Sequence, residues 1–188
     1  MLKTKPTSQK NTQSELLGYV TGQIAEELAR IRIAHIINAK YSLLDGHEPF
    51  EAPNLTAYNG ILPKNLDLVQ INKKTGNVAA IYEIKEELSH RREFNVNGQS
   101  GIFMKRASWL DIPTYLIVVR FDRPVREDVI SENSRGHVFI KTEEYASEFE
   151  HFMDAAKFSV YPKSQFELVG DKFIVFGEPK ALRDLRSL

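Results

Sequence analysis

The chain has 188 residues and no cysteine. That excludes disulfides, zinc–thiolate centres and thiol catalysis, and it fits a reducing compartment. Net charge is also missing, since 25 Lys and Arg balance 25 Asp and Glu. No global basic field advertises nucleic acid, so any phosphate-contacting surface must be a local patch or rely on a bound ion. No apolar stretch approaches membrane-spanning length, and residues 1–14 are polar, with no hydrophobic signal core. A soluble cytoplasmic protein with no membrane partner is expected. The chain lacks the Gly-rich phosphate loop of NTPases, none of its serines sits in a nucleophile elbow, and its five histidines have no metal-site spacing.

What is present suits one domain with one core, 42% of the residues being hydrophobic. Residues 1–13 read as a loose polar arm carrying Lys3, Lys5 and Lys10. A long helix is expected from Ser14, as N-cap, to about Ala39, with Leu17, Val20, Ile24, Leu28, Ile31 and His35 as its buried stripe. At about 100° per residue, Glu27 falls about 60° from the middle of that stripe and Glu26 points almost the opposite way. Glu27 is therefore the acid expected at the core edge, the plainer alternative being a boundary charge paired with Arg30 or Arg32.

The most informative segment follows. The runs 65–71 and 78–85 flank the polar loop 73–77, which contains Gly76, and read as an antiparallel hairpin. If Asn72 faces Val78, counting back sets Asp67 opposite Glu83, and opposed residues share a face with Cβ atoms about 5 Å apart. Lys85, two residues on, returns to that face. Two carboxylates at that spacing among Val69 and Ile81 repel each other unless a cation lies between them. Mg²⁺, or Mn²⁺ in its place, is the expected cofactor, since hard ions take one or two carboxylates and complete their shell with water and phosphate oxygens. The alternative is a solvated charged face on which Lys85 merely pairs with Glu83.

Asp67, followed sixteen positions later by Glu83-Ile84-Lys85, resembles the PD-(D/E)xK nuclease motif of restriction endonucleases, Holliday-junction resolvases and repair nucleases. Leu66 stands where the motif has proline, and Pro63 comes slightly earlier. The resemblance implies that Asp67 and Glu83 bind the metal and that Lys85 assists the attacking water. It also implies that a helix glutamate, here Glu27 within Gly22–Glu27, adds a ligand or supporting acid. A second Glu-x-Lys, at 178–180, contains a proline and makes a poor strand.

A helix is expected from about Gly98 to Leu110, broken by Asp111-Ile112-Pro113 before a strand at 114–120. Helix, hairpin, helix, strand is the order of the family's αβββαβ core. The resemblance therefore implies an α/β, restriction-endonuclease-like fold over 14–120, a central mixed sheet flanked by helices, with 121–188 as a C-terminal α+β extension. In that extension we read a strand at 138–140, a helix at 143–156 and a hairpin at 166–176. Arg91, Arg92, Gln99, Lys105 and Arg106 are the expected nucleic-acid contacts. The implied activity is Mg²⁺-dependent hydrolysis of DNA by a homodimer of the small type II restriction kind, with RNA as the lesser alternative substrate. A junction resolvase, a nuclease subunit of a defence or mobile-element system, and a non-catalytic nucleic-acid-binding module on the nuclease fold are the competing readings.

Overall fold

A computed structural model of the chain describes residues 13–46, 50–55, 61–62, 66–88, 91–96, 101–102, 104, 107, 111–132, 138–140 and 142–187. The first helix, α1, runs Gln13–Ile36, so Ser14 lies inside it rather than capping it. Three short strands follow: β1 (Tyr41–Asp45), β2 (Phe50–Glu51) and β3 (Ile61–Leu62). Next come β4 (Leu68–Asn72), β5 (Val78–Glu87), β6 (Glu93–Asn95) and β7 (Thr114–Arg120). The C-terminal third contributes β8 (Ile130–Glu132), β9 (Val138–Ile140), α2 (Thr142–Ala155), β10 (Lys157–Pro162), β11 (Phe166–Val169) and β12 (Lys172–Val175).

The central sheet has the order β1-β4-β5-β7-β10. Its pairings are antiparallel except β5 with β7, which run parallel with Glu83 level with Leu116 and Lys85 level with Val118. A parallel pair needs a crossover, and Gly101, Ile102, Met104 and Ala107, between the two strands in sequence, are helical. That turn of helix closes at Asp111, in the left-handed region at φ 58°, with the Ile112 N–H reaching back to the Ala107 carbonyl at 3.2 Å. Aspartate tolerates this conformation, and the six-to-one bond is the Schellman pattern. The molecule is thus an α/β protein with a mixed central sheet.

The unbroken apolar run of β7 follows from burial on both faces. On one face α1 and α2 cover Ala80, Tyr82, Ile84, Ile117 and Val119. On the other, Val69, Ile71, Ile81 and Ala107 form one cluster, while Leu116 and Val118 form another with Met104 and the three-stranded sheet β11-β12-β6. Glu83 lies between those two clusters, which is why its carboxylate is buried.

The C-terminal region is less of an appendage than its sequence suggests. Lys157–Pro162, which carries no strong strand signal, is an edge strand of the central sheet, and α2 packs into the α1 core through Phe152. His35, expected in the core, is exposed and bonds to the Ile31 carbonyl of its own helix at 2.7 Å. The buried arc of α1 is broader than the bulky stripe. It takes in Ala25, Ala29 and Ile33, the two alanines being small enough to bring the helix close to the sheet.

Candidate active site

The hairpin reaches the expected pairing by a different route. Asn72 closes the loop by donating to the Asn77 carbonyl at 2.9 Å, and Ile71, not Asn72, faces Val78. A bulge at Ala79 then restores the register, so that Gln70 faces Ala80 and Leu68 faces Tyr82. Continued one step beyond the ladder, into the bend before β4, the same register sets Asp67 level with Glu83. Asp67 Oδ2 accepts the Ile84 backbone N–H at 2.5 Å, which ties the carboxylate to the strand carrying Glu83 and Lys85.

The approach to Asp67 depends on Gly46, at the end of β1. Its N–H donates to the Asp67 carbonyl at 3.2 Å and its own carbonyl accepts from Leu66 at 3.3 Å. A Cβ on Gly46 would lie 2.6 Å from the Leu66 carbonyl oxygen, so only glycine permits this contact.

Glu83, whose side chain is 1% exposed, accepts from Lys85 Nζ at 2.8 Å. Burial works against the Lys85 charge, but Glu83 and Asp67 outweigh it and hold the ammonium above its ordinary value. Asp67 stands the other way. Burial, opposed by Lys85 and the Ile84 N–H but reinforced by Glu26 and Asp45, pushes its carboxyl up from 3.8 to about 7. Near neutrality Asp67 is thus only partly ionised, and its full ionisation in this enclosure calls for a further cation beside Lys85. Among the described residues no three acids or imidazoles are arranged to enclose a metal. The donor set Asp67 and Glu83 fits a hard divalent ion that keeps most of its shell for water and phosphate, not a protein-only cage.

Glu27, the helix acid expected at this site, is engaged elsewhere. It pairs with Arg30 at 2.5 Å, and its field reaches Tyr145 of α2. The acid whose charge bears on Asp67 is Glu26. The reason is the broad buried arc of α1: its Ala25–Ala29 row turns the Glu26 side toward the sheet, and a Cβ on Gly22 would meet the Glu86 carboxylate of β5 at 3.5 Å. The small residues Gly22, Ala25 and Ala29 were the available sequence signal, masked by their larger neighbours.

Beyond Lys85 an open cleft of about 850 Å³ is bordered by Lys85, Glu86, Arg91, Arg92, Glu93 and Lys172. Arg91 and Arg92 thus border the same cleft as Lys85. Gln99, Lys105, Arg106, His90, Tyr58 and Asn59 fall outside the described residues. Sequence reading also missed Glu87 and Arg120, level partners on β5 and β7 joined at 2.9 Å.

No family model, no curated protein and no solved structure matches this chain. What its fold and site define is an α/β protein with a mixed central sheet, bearing two carboxylates and a lysine on one strand pair. Among the described residues no helix is long and apolar enough to cross a membrane.

Proposed function

We propose that this protein is a metal-dependent endonuclease of the PD-(D/E)xK type, hydrolysing DNA phosphodiesters with Mg²⁺ or Mn²⁺. The observation that carries the reading is the tie between Asp67 and Ile84, which holds a carboxylate with a raised pKa on the strand of the buried Glu83–Lys85 pair. The succession α1, β1, β4, β5, a helical crossover and β7 supports a restriction-endonuclease-like αβββαβ core.

Asp67 and Glu83 would hold the ion, which when bound supplies a more acidic water and neutralises phosphoryl charge. Glu83 keeps the Lys85 ammonium protonated and aimed from β5. From there Lys85 would orient the attacking water and donate to the phosphate oxygens as charge builds on them. The Ile84 N–H fixes Asp67 against rotation before substrate arrives. Arg91 and Arg92 would hold the strand backbone along the cleft. A homodimer is the assembly we propose, because one such site cuts one strand.

The test is cleavage of supercoiled plasmid and single-stranded DNA with Mg²⁺, Mn²⁺ or EDTA by wild type and Lys85→Ala. Metal-dependent products lost in the variant support the reading. Equal cutting by both proteins, or no cutting together with no calorimetric Mn²⁺ binding, overturns it.

A further inference from the structure

Adjoining the cleft is a smaller pocket of about 290 Å³ that shares Arg91 and Arg92 with it and adds Arg120, Ser159, Tyr161 and Glu178. Its construction follows from sheet register. Glu83, Lys85 and Glu87 alternate onto one face of β5. Leu116, Val118 and Arg120 stand level with them on β7, and Tyr161, Ser159 and Lys157 are the partners of those three on β10. The motif lysine and the pocket therefore occupy the same face of one sheet, within about two strand spacings of 4.8 Å.

Glu87 organises the pocket. Its side chain is 1% exposed, and it accepts from Arg120 Nε at 3.0 Å and Nη2 at 2.9 Å. Its other carboxylate oxygen accepts the Arg91 backbone N–H. A buried carboxylate thus fixes one edge of the Arg120 guanidinium, and an arginine has donors on its remaining edge as well. Arg92 has no ion-pair partner among the described residues, and its carbonyl is held by the Val175 N–H at 2.9 Å, so its backbone is anchored while its side chain is exposed. Three arginines against Glu87 and Glu178 leave the pocket net positive. Burial and Glu87, against the pull of Arg120 and Arg92, raise the Tyr161 phenol above its ordinary pKa, so it stays a neutral donor. One guanidinium held by a buried carboxylate, two further arginines and two hydroxyl donors around one pocket are the chemistry of phosphate recognition.

The geometry points to the Arg91–Arg92–Arg120 pocket, with Ser159 and Tyr161, as a phosphate-binding subsite that grips one phosphate of a nucleic-acid strand whose neighbouring backbone crosses Lys85. Glu87 acts in it as a positioning residue. The inference rests on the nuclease reading for its ligand, but the pocket is testable without catalysis. The group held is either an internal phosphodiester or the monoester at a strand end.

Binding of a fluorescent oligonucleotide to the full chain, in EDTA so that nothing is cut, separates these. The probe carries a 5′-phosphate, a 3′-phosphate or neither, and wild type is compared with Arg92→Ala and Tyr161→Phe across a salt series. If a strand end is held, one phosphorylated probe binds about tenfold tighter than the unphosphorylated one, and Arg92→Ala abolishes that preference. If the backbone is held, Arg92→Ala weakens all three probes alike and lowers the salt slope by about one. Either result supports the subsite when Tyr161→Phe, which borders the pocket and not the larger cleft, weakens the same probes; a loss with Arg92→Ala alone belongs to the cleft and overturns it. Both variants binding every probe as wild type does, with the same salt slope, overturns it. Binding weakened by both variants without metal-dependent cleavage would retain the pocket and remove the nuclease reading, whereas cleavage with binding that neither variant alters would do the reverse.

Discussion

The Ile84 amide donates to Asp67 Oδ2 at 2.5 Å, from a strand position flanked by Glu83 and Lys85. A single backbone donor thereby couples the two halves of the site. It also makes the protonation state of Asp67 a property of the fold, since the same enclosure that aims the carboxylate raises its pKa.

Stability should record that protonation. A carboxyl raised from 3.8 to about 7 favours the folded state fully below its usual value and loses that contribution as pH rises through about 7. In EDTA, the melting temperature of wild type should fall between pH 4 and 7 relative to Asp67→Asn, leaving the variant the more stable at pH 8. Added Mn²⁺ should raise wild-type stability at pH 8, do less at pH 6, and leave the variant unmoved. Parallel melting curves with and without Mn²⁺ would exclude Asp67 as the titrating ligand.

Glu26 and Glu27 should behave differently despite adjacency. Glu26→Gln removes a negative neighbour of Asp67 and should lower its titration midpoint, followed by the carboxyl carbon resonance in an NMR titration. Glu27→Gln, which touches only the exposed Arg30 pair, should leave that midpoint unchanged and cost at most about 1 kcal/mol. A shift with Glu27→Gln alone would reverse the assignment.

Gly46→Ala should act on the site through the backbone. The added methyl meets the Leu66 carbonyl at 2.6 Å, so the 66–67 segment must move. A stability loss of about 1–3 kcal/mol in urea unfolding is expected, together with weaker Mn²⁺ binding by the folded fraction. Gly18→Ala, where a Cβ meets nothing within 4 Å, is the matched control.

A distant ion pair, buried only on its carboxylate side, separates stability from function. Glu148 of α2, 2% exposed, accepts from both terminal nitrogens of Arg123 at 2.9 Å, which with help from Arg126 holds its pKa below the usual range. Its contribution is present above the ordinary carboxylate pKa and lost as pH falls below it. Glu148→Ala should cost about 1–2 kcal/mol at pH 7 through its lost charge-assisted hydrogen bonds, because Arg123 and Arg126 keep access to water, while cleavage per folded molecule stays at the wild-type level.

Much of this arrangement was legible because it is local. The hairpin, the helix at 142–155 and the Gly170-Asp171 turn follow from alternation, helical period and turn chemistry over a few residues. Even so, the β4–β5 register agrees with the one expected from an Asn72–Val78 start only because a bulge at Ala79 offsets a loop one residue tighter. The role of Glu26 was hidden because hydrophobic periodicity weighs bulky residues, whereas close helix–sheet approach is made by small ones. Strand β10 was missed for a related reason: an edge strand is half-covered and carries a weak apolar signal.

By itself the sequence determined which residues alternate onto one face of the hairpin, since a period of two needs no partner to define it. It also determined that two acids and one lysine would share that face. Tertiary structure alone decided how far each is buried, and with that the raised pKa of Asp67 and the retained charge of Lys85. It alone set Arg120 of β7 against Glu87 of β5 and laid Ser159 and Tyr161 beside them. Desolvation and cross-strand register depend on elements far apart in the chain, and no window of neighbouring residues contains them.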